Sequence, residues 1–267
     1  MIRAASDRSL LAVAALLFAA SAAVTIRWCA SMTAMGEMPM PGGWTMSMAW
    51  MRMPGQTWPG AAASFVAMWI VMTAAMMLPS LLPMLRRYRR SVSIAQETRA
   101  RETRLGALTA LVGAGYFCVW TAFGAAAFPF GVALATVAMQ QPALARVVPL
   151  AAGVVVVLAG VLQWSAWKTR HLACCRAASV RGRVLPGGAR AAWRHGLRLG
   201  LHCSYCCAGL TAVLLVVGVM DVRAMAAVAA AISVERFARD GERAARIVGA
   251  LVVGAGLLLI VRATVLG

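Results

Sequence analysis

The sequence contains few charged residues, and very few of those are acidic. Only 13% of its 267 residues are charged, and Asp and Glu together number eight. Soluble domains carry about 25% charged residues, so this composition excludes an ordinary soluble globular protein. Because 62% of the residues are hydrophobic and the mean hydropathy is +0.78, the chain is predicted to be a polytopic membrane protein.

Several signatures of nucleotide binding and catalysis are also missing. The sequence has no Walker phosphate loop, no dinucleotide-binding glycine fingerprint, no Ser-His-Asp arrangement and no His-x-x-x-His pair. These absences argue against ATP-driven pumping and hydrolysis, and they favour a role that is not enzymatic.

Long apolar runs are present instead, and they predict an all-α bundle of about seven transmembrane helices in a single integral membrane domain, residues 1–267. A helix needs roughly 20 apolar residues to cross the hydrocarbon core. The number of spans falls to six if the N-terminal segment is a cleaved signal peptide, or if the short run 223–237 does not span. The long runs are 9–28, 62–85, 106–130, 148–167, 199–219 and 245–264.

The formal charge of +18 follows this predicted topology. Cytoplasmic loops carry the excess of arginine and lysine, so the N-terminus is expected to be cytoplasmic and the protein to lie in a bacterial inner membrane. The segment 30–60 then forms a periplasmic loop and 168–198 a basic cytoplasmic loop. The basic loops are expected to contact anionic lipids, and nucleic acid is not expected as a partner. All but five of the 26 basic residues fall inside, the exceptions being Arg27, Arg52, Arg146, Arg223 and Arg262.

Methionine is concentrated in the predicted periplasmic loop. Thioether sulfur is a soft ligand suited to Cu(I), and Met46 and Met48 are taken as candidate ligands. The surrounding Gly, Pro, Ser and Thr are typical of turns rather than of a packed core, although methionine also fills gaps in apolar packing. The methionines of this loop are Met32, Met35, Met38, Met40, Met46, Met48, Met51 and Met53.

The methionine pattern continues into the next apolar run. Met68, Met72 and Met76 are four residues apart and therefore share one face of a helix. Such a face predicts a relay of weak sites for a soft cation, and the alternative interpretation is a packing face.

Soft ligands of a second kind lie between the fourth and fifth long runs. His171 and Cys174, and likewise Cys203 and Cys206, have the two-residue spacer that lets two side chains bind one metal ion. With His202 and Cys207 they predict a Cu(I) site, with zinc as the alternative metal. The alternatives are buried structural cysteines and a reactive dithiol. Farther along, Glu235 is expected to pair with the adjacent Arg236 at the membrane interface.

The sequence resembles a bacterial family described as predicted metal-binding integral membrane proteins. The resemblance rests on MWIVMTAAMMLPS at 68–80, GLHCSYCC at 200–207, GVMD at 218–221 and Glu235. It implies a membrane-embedded metal-binding protein. At His171 the chain departs from the cysteine pair that the family pattern leads us to expect, which changes the expected thiolate count.

The leading hypothesis is an inner-membrane protein that binds Cu(I) and transports it or delivers it to a membrane or periplasmic partner. One alternative is a membrane subunit of a redox or metalloenzyme complex that uses the Cys-x-x-Cys-Cys segment. Another is a non-catalytic membrane scaffold in which the sulfur-containing residues only pack.

Overall fold

The computed structural model describes residues 2–34, 36, 38–93, 99–177 and 185–266, and nearly all of them are helical. Two short strand pairs connect the helices: β1 (Met38–Met40) is antiparallel to β2 (Trp44–Met46), and β3 (Val92–Ser93) is parallel to β4 (Leu185–Pro186). A 3₁₀-helix covers Met48–Trp50. The α-helices are α1 (Ile2–Ala34), α2 (Trp58–Ser91), α3 (Arg99–Gln140), α4 (Pro142–Leu162), α5 (Ala166–Ala177), α6 (Ala189–Val217), α7 (Val222–Phe237) and α8 (Gly241–Leu266).

Six of these helices, α1, α2, α3, α4, α6 and α8, are long and apolar enough to cross a membrane. They correspond to the six long apolar runs, which confirms the prediction of an all-α polytopic bundle. The short run 223–237 becomes α7, whose 16 residues rise about 24 Å. This is less than the roughly 30 Å of hydrocarbon.

Although α7 is short, it passes through much of the bundle. At its start, Asp221 lies near Cys29, close to the end of α1. At its end, Glu235 contacts Lys168 in α5. The helix therefore connects the C-terminal end of α6 to the start of α8 from within the packed structure.

The helix ends that carry most of the arginines meet at one end of the bundle. The Arg90 side chain at the end of α2 lies 4.0 Å from Asp7 near the start of α1. Arg104 near the start of α3 donates to the Gly187 carbonyl, which precedes α6, at 3.1 Å. Trp164, after α4, donates to the Arg246 carbonyl of α8 at 2.9 Å. We call this the arginine-rich end.

Glycines bring two pairs of helices into close contact. Gly160 of α4 faces Val253 and Gly249 of α8, and Gly196 of α6 lies against the backbone of Val112 in α3. A Cβ atom at these positions would collide with the neighbouring helix, so the close approach requires glycine.

Candidate functional site

The methionine-rich segment after α1 folds into a small hairpin that packs on the turn between α3 and α4. Met40 and Met46 are buried against Ala135, Ala138 and Ala145. The expectation that the loop methionines lie outside a packed core is therefore wrong for these two. Met48 is only half-buried, and Met35 lies outside the described residues.

Two features fix the hairpin in place. The Trp44 indole N–H donates to the Ala145 carbonyl at 2.9 Å. Gly42 has a φ of +98°, and a Cβ atom there would come within 2.9 Å of the Arg146 Cα atom. The turn therefore needs glycine both for its backbone conformation and for its closeness to α4.

A run of aromatic rings connects this hairpin region to the interior of α2. The rings of Trp50 and Phe65 have centroids 5.1 Å apart, and those of Phe65 and Trp69 are stacked at 6.0 Å. Trp50 packs directly over Gly131, and Trp69 packs over Gly124. These rings separate the hairpin from the methionines deeper in α2.

The methionines of α2 face the protein interior. Met68, Met72 and Met76 are all buried, with exposed fractions of 5%, 3% and 7%. Met72 and Met76 line a cavity of about 10 Å³, room for about one water-sized sphere, whereas Met68 does not. The full lining is Trp69, Met72, Thr73, Met76, Met77, Trp120, Thr211 and Leu214.

Met77 is therefore the third thioether at this cavity, which we call the methionine cavity. The spacing of four residues predicts that Met68 lies together with Met72 and Met76. In the structure Met77, which follows Met76 directly, lines the cavity instead. Across the cavity, the buried Trp120 indole N–H has no hydrogen-bond partner among the described residues.

A second sulfur group lies between α5 and α6. It consists of Cys175, Cys203, Cys206 and Cys207, all buried, and we call it the thiol cluster. Cys206 lies close to Cys175 and to Cys207, and Cys207 lies close to Cys203. The predicted pair Cys203 and Cys206 is thus part of a larger group in which Cys207 is central.

Arg236 and Tyr116 bring polar groups to this cluster. The Arg236 Nη2 atom lies 2.9 Å from Cys203 Sγ and 3.3 Å from Cys207 Sγ. The Tyr116 hydroxyl lies 2.8 Å from Cys203 Sγ on the other side. Nothing in the sequence singles out Tyr116, because a lone tyrosine in an apolar run carries no signal for such a contact.

Next to the thiol cluster is a buried ion pair that differs from the pair predicted from the sequence. Lys168 Nζ lies 2.6 Å from Glu235 Oε2 and also donates to the Cys206 carbonyl at 2.8 Å. Gln163 donates to the other Glu235 oxygen at 3.0 Å. Both charged side chains are only 2% exposed, so Lys168 does not lie in a solvated loop and the main ionic partner of Glu235 is Lys168 rather than Arg236.

The histidines form a separate aromatic group. The His171 and His202 ring centroids are 6.2 Å apart, and His171 packs against Trp167 at 4.7 Å. Desolvation, with a smaller contribution from His202, lowers the pKa of His171, so its ring is neutral at pH 7. Cys174 is exposed.

The four-ligand site that the paired spacers predicted is not assembled. Among the residues that the structure describes, no three His, Cys, Asp or Glu side chains are placed to hold one metal ion. His171 and Cys174 therefore do not join Cys203 and Cys206 in a tetrahedral arrangement. The sulfur atoms fall into two groups, the thioethers of the methionine cavity and the thiols of α5 and α6.

Comparison with known proteins identifies the family of this chain. Residues 66–259 match the model of the PpoB2 family, described as copper chaperone. The matched segment includes the methionine cavity and the thiol cluster, and it begins after the methionine-rich hairpin. No curated protein and no solved structure matches the chain. Because the family model covers most of the sequence, the chain belongs to the PpoB2 copper chaperone family.

Proposed function

We propose that this protein binds Cu(I) within the membrane and delivers it to a membrane or periplasmic partner protein. The observation that carries the proposal is the methionine cavity, a space of about 10 Å³ that Met72, Met76 and Met77 line together with five other residues. This cavity lies inside the segment that matches a copper chaperone family.

The chemistry of the cavity suits a soft monovalent ion. Thioethers are neutral ligands that favour Cu(I), and none of the residues that line the cavity is ionisable at neutral pH. Neutral ligands leave the charge of the ion uncompensated, so they hold it less firmly than thiolates would. Weak binding is what a protein that passes copper onward requires.

The second sulfur group provides a place for copper to move to or from. The thiol cluster lies on α5 and α6, close to Lys168 and Glu235, whereas the hairpin packs on the turn between α3 and α4. We propose that copper passes among hairpin, methionine cavity and thiol cluster, with the half-buried Met48 as the site of first contact, because Met46 is buried. We further propose an inner-membrane location with the hairpin facing the periplasm, and contacts of the arginine-rich end with anionic lipids.

The proposal is tested by replacing the three cavity thioethers together. A Met72→Leu/Met76→Leu/Met77→Leu variant keeps the apolar volume nearly constant and removes the ligands. We expect it to lose about one equivalent of Cu(I) relative to the unchanged protein, measured anaerobically by titration against a chromogenic Cu(I) chelator.

A matched control replaces three methionines that lie away from the cavity. The variant Met84→Leu/Met139→Leu/Met225→Leu makes the same chemical change and should retain full Cu(I) stoichiometry. Equal stoichiometry and affinity in both triple variants would show that the cavity methionines only pack, as expected for a scaffold.

A further inference from the structure

Arg236 holds an unusual position for a charged side chain in an apolar protein. Its Nη2 atom contacts the sulfur atoms of both Cys203 and Cys207. Its Nε and Nη1 atoms are buried and have no hydrogen-bond partner among the described residues. A guanidinium group presents five donors and ordinarily pairs with anions, so two neutral thiols leave it poorly satisfied.

The neighbouring charges do not balance Arg236. Glu235 is the nearest acidic residue in sequence, but its carboxylate is paired with Lys168 at 2.6 Å. In the described part of the chain Arg236 forms no salt bridge within 4.0 Å. An unbalanced cation with two of its nitrogen atoms buried is costly in an apolar environment. The surroundings of Cys203 and Cys207 therefore favour a group with one net negative charge.

We propose that Cys203 and Cys207 form a two-thiolate site for Cu(I), and that Arg236 makes this site selective for a monovalent ion. The inference rests on the proposed function and adds a second, charged site to the methionine cavity. The two cysteines are four residues apart on α6 and so share one face. When the ion binds, each thiol loses one proton to solvent, two Cu–S bonds form and copper remains Cu(I).

Charge arithmetic distinguishes Cu(I) from Zn(II) at this place. Two thiolates and Cu(I) carry one net negative charge, which the Arg236 guanidinium neutralises. Two thiolates and Zn(II) would be neutral, and Arg236 would stay unbalanced. Zn(II) also almost always takes four ligands, and the described residues offer no group of three His, Cys, Asp or Glu side chains for it. The Tyr116 hydroxyl, 2.8 Å from Cys203 Sγ, supplies a donor to the thiolate.

The experiment measures Cu(I) and Zn(II) affinities of the full-length protein in lipid nanodiscs by chelator competition. We expect Arg236→Gln to weaken Cu(I) binding at the thiol site about 10- to 100-fold and to reduce the preference over Zn(II). Arg236→Lys, which keeps the charge, should recover most of the lost preference. Arg223→Gln changes an exposed arginine on the same helix and serves as the matched control.

The two copper sites are told apart by ultraviolet absorption. Cu(I) bound to thiolate gives a charge-transfer band, which thioether ligands do not. The band should disappear in Cys203→Ser/Cys207→Ser and persist in Cys118→Ser/Cys174→Ser, which changes two exposed cysteines. Size-exclusion chromatography and thermal unfolding establish that each variant is folded.

Either of two results would overturn the inference: a band that persists without Cys203 and Cys207, or Arg236→Gln with the metal preference of the unchanged protein. If the thiolate band is normal and the cavity substitutions do not change the Cu(I) stoichiometry, only the methionine cavity is contradicted. Loss of the cavity equivalent with no thiolate band would count against the two-thiolate site alone.

Discussion

At the scale of single residues, the Lys168–Glu235 pair joins three helices next to the thiol cluster. Lys168 Nζ bonds both Glu235 and the Cys206 carbonyl, so α5 is linked to α7 and to α6. Removing two charges from water costs several kcal/mol per ion, and their mutual attraction offsets this only when both partners are present. The pair therefore holds the end of α7, and with it Arg236, against the cysteines.

Breaking this pair should be far more damaging than breaking a surface pair. Lys168→Met leaves the Glu235 carboxylate buried without its cation, and we expect a loss of about 3–5 kcal/mol in unfolding free energy. The measurement is denaturation in mixed micelles, followed by circular dichroism. The control is Glu242→Gln, which breaks the exposed pair of Glu242 with Arg246 and should cost less than about 1 kcal/mol. Equal losses in the two variants would mean that the buried pair does not hold α7.

The sequence indicated one partner of this pair but not the other. An acidic residue near the end of an apolar run is unusual enough to single out Glu235. Its partner lies 67 residues earlier along the chain, and the nearer Arg236 looked like the natural choice. Because arginines follow Lys168, the sequence places it in a basic loop, and local composition does not reveal that its own side chain turns inward.

At the scale of helices, α4 and α8 form an antiparallel pair, and glycines of both helices lie at the contact between them. Gly153 of α4 faces Gly256 of α8, and Gly160 faces Gly249. In a membrane, helices associate through close packing rather than through release of water from apolar surface, so small residues at the contact determine how near the backbones come.

Two glycines on α8 provide a direct test of this packing. A Cβ atom at Gly256 would meet Val157 at 2.7 Å, whereas one at Gly254 would have nothing within 4 Å. We expect Gly256→Leu to destabilise the protein by about 1–3 kcal/mol and Gly254→Leu to have little effect. Thermal unfolding in one detergent measures both. A similar melting temperature for the two variants would contradict the packing described.

This level of structure was only partly predictable. The long apolar runs and the 3.6-residue period identify the six long helices and place Met72 and Met76 on one face. Glycine content indicates close packing but does not say which glycine meets a neighbour, as Gly254 and Gly256 illustrate. The sequence likewise predicts only two of the three methionines at the cavity. Met77 lines it because of how α2 packs against Trp120 and Thr211, which the spacing along the helix does not reveal.

At the scale of the whole molecule, charge is sorted between the two ends of the bundle. At the arginine-rich end, Arg90 links the end of α2 to the start of α1, and Arg104 links the start of α3 to the segment before α6. Trp164 links the end of α4 to the start of α8. The methionine-rich hairpin packs instead on the turn between α3 and α4. A bundle charged in this way has a preferred orientation in a membrane, because basic segments are retained in the cytoplasm.

Orientation and the role of α7 can be tested together with reporter fusions. Alkaline phosphatase is active only outside the cytoplasm, and we expect activity when it is fused after Trp50 or after Leu266 and none after Ala177. The fusion after Leu266 is decisive for α7, because α8 ends outside only if α7 returns the chain to the cytoplasmic side. α7 rises about 24 Å, which is shorter than the hydrocarbon core of the bilayer. To cross, it needs either a locally thinner bilayer or neighbouring helices that shield its ends from lipid. Activity after Trp50 combined with none after Leu266 would show that α7 does not cross.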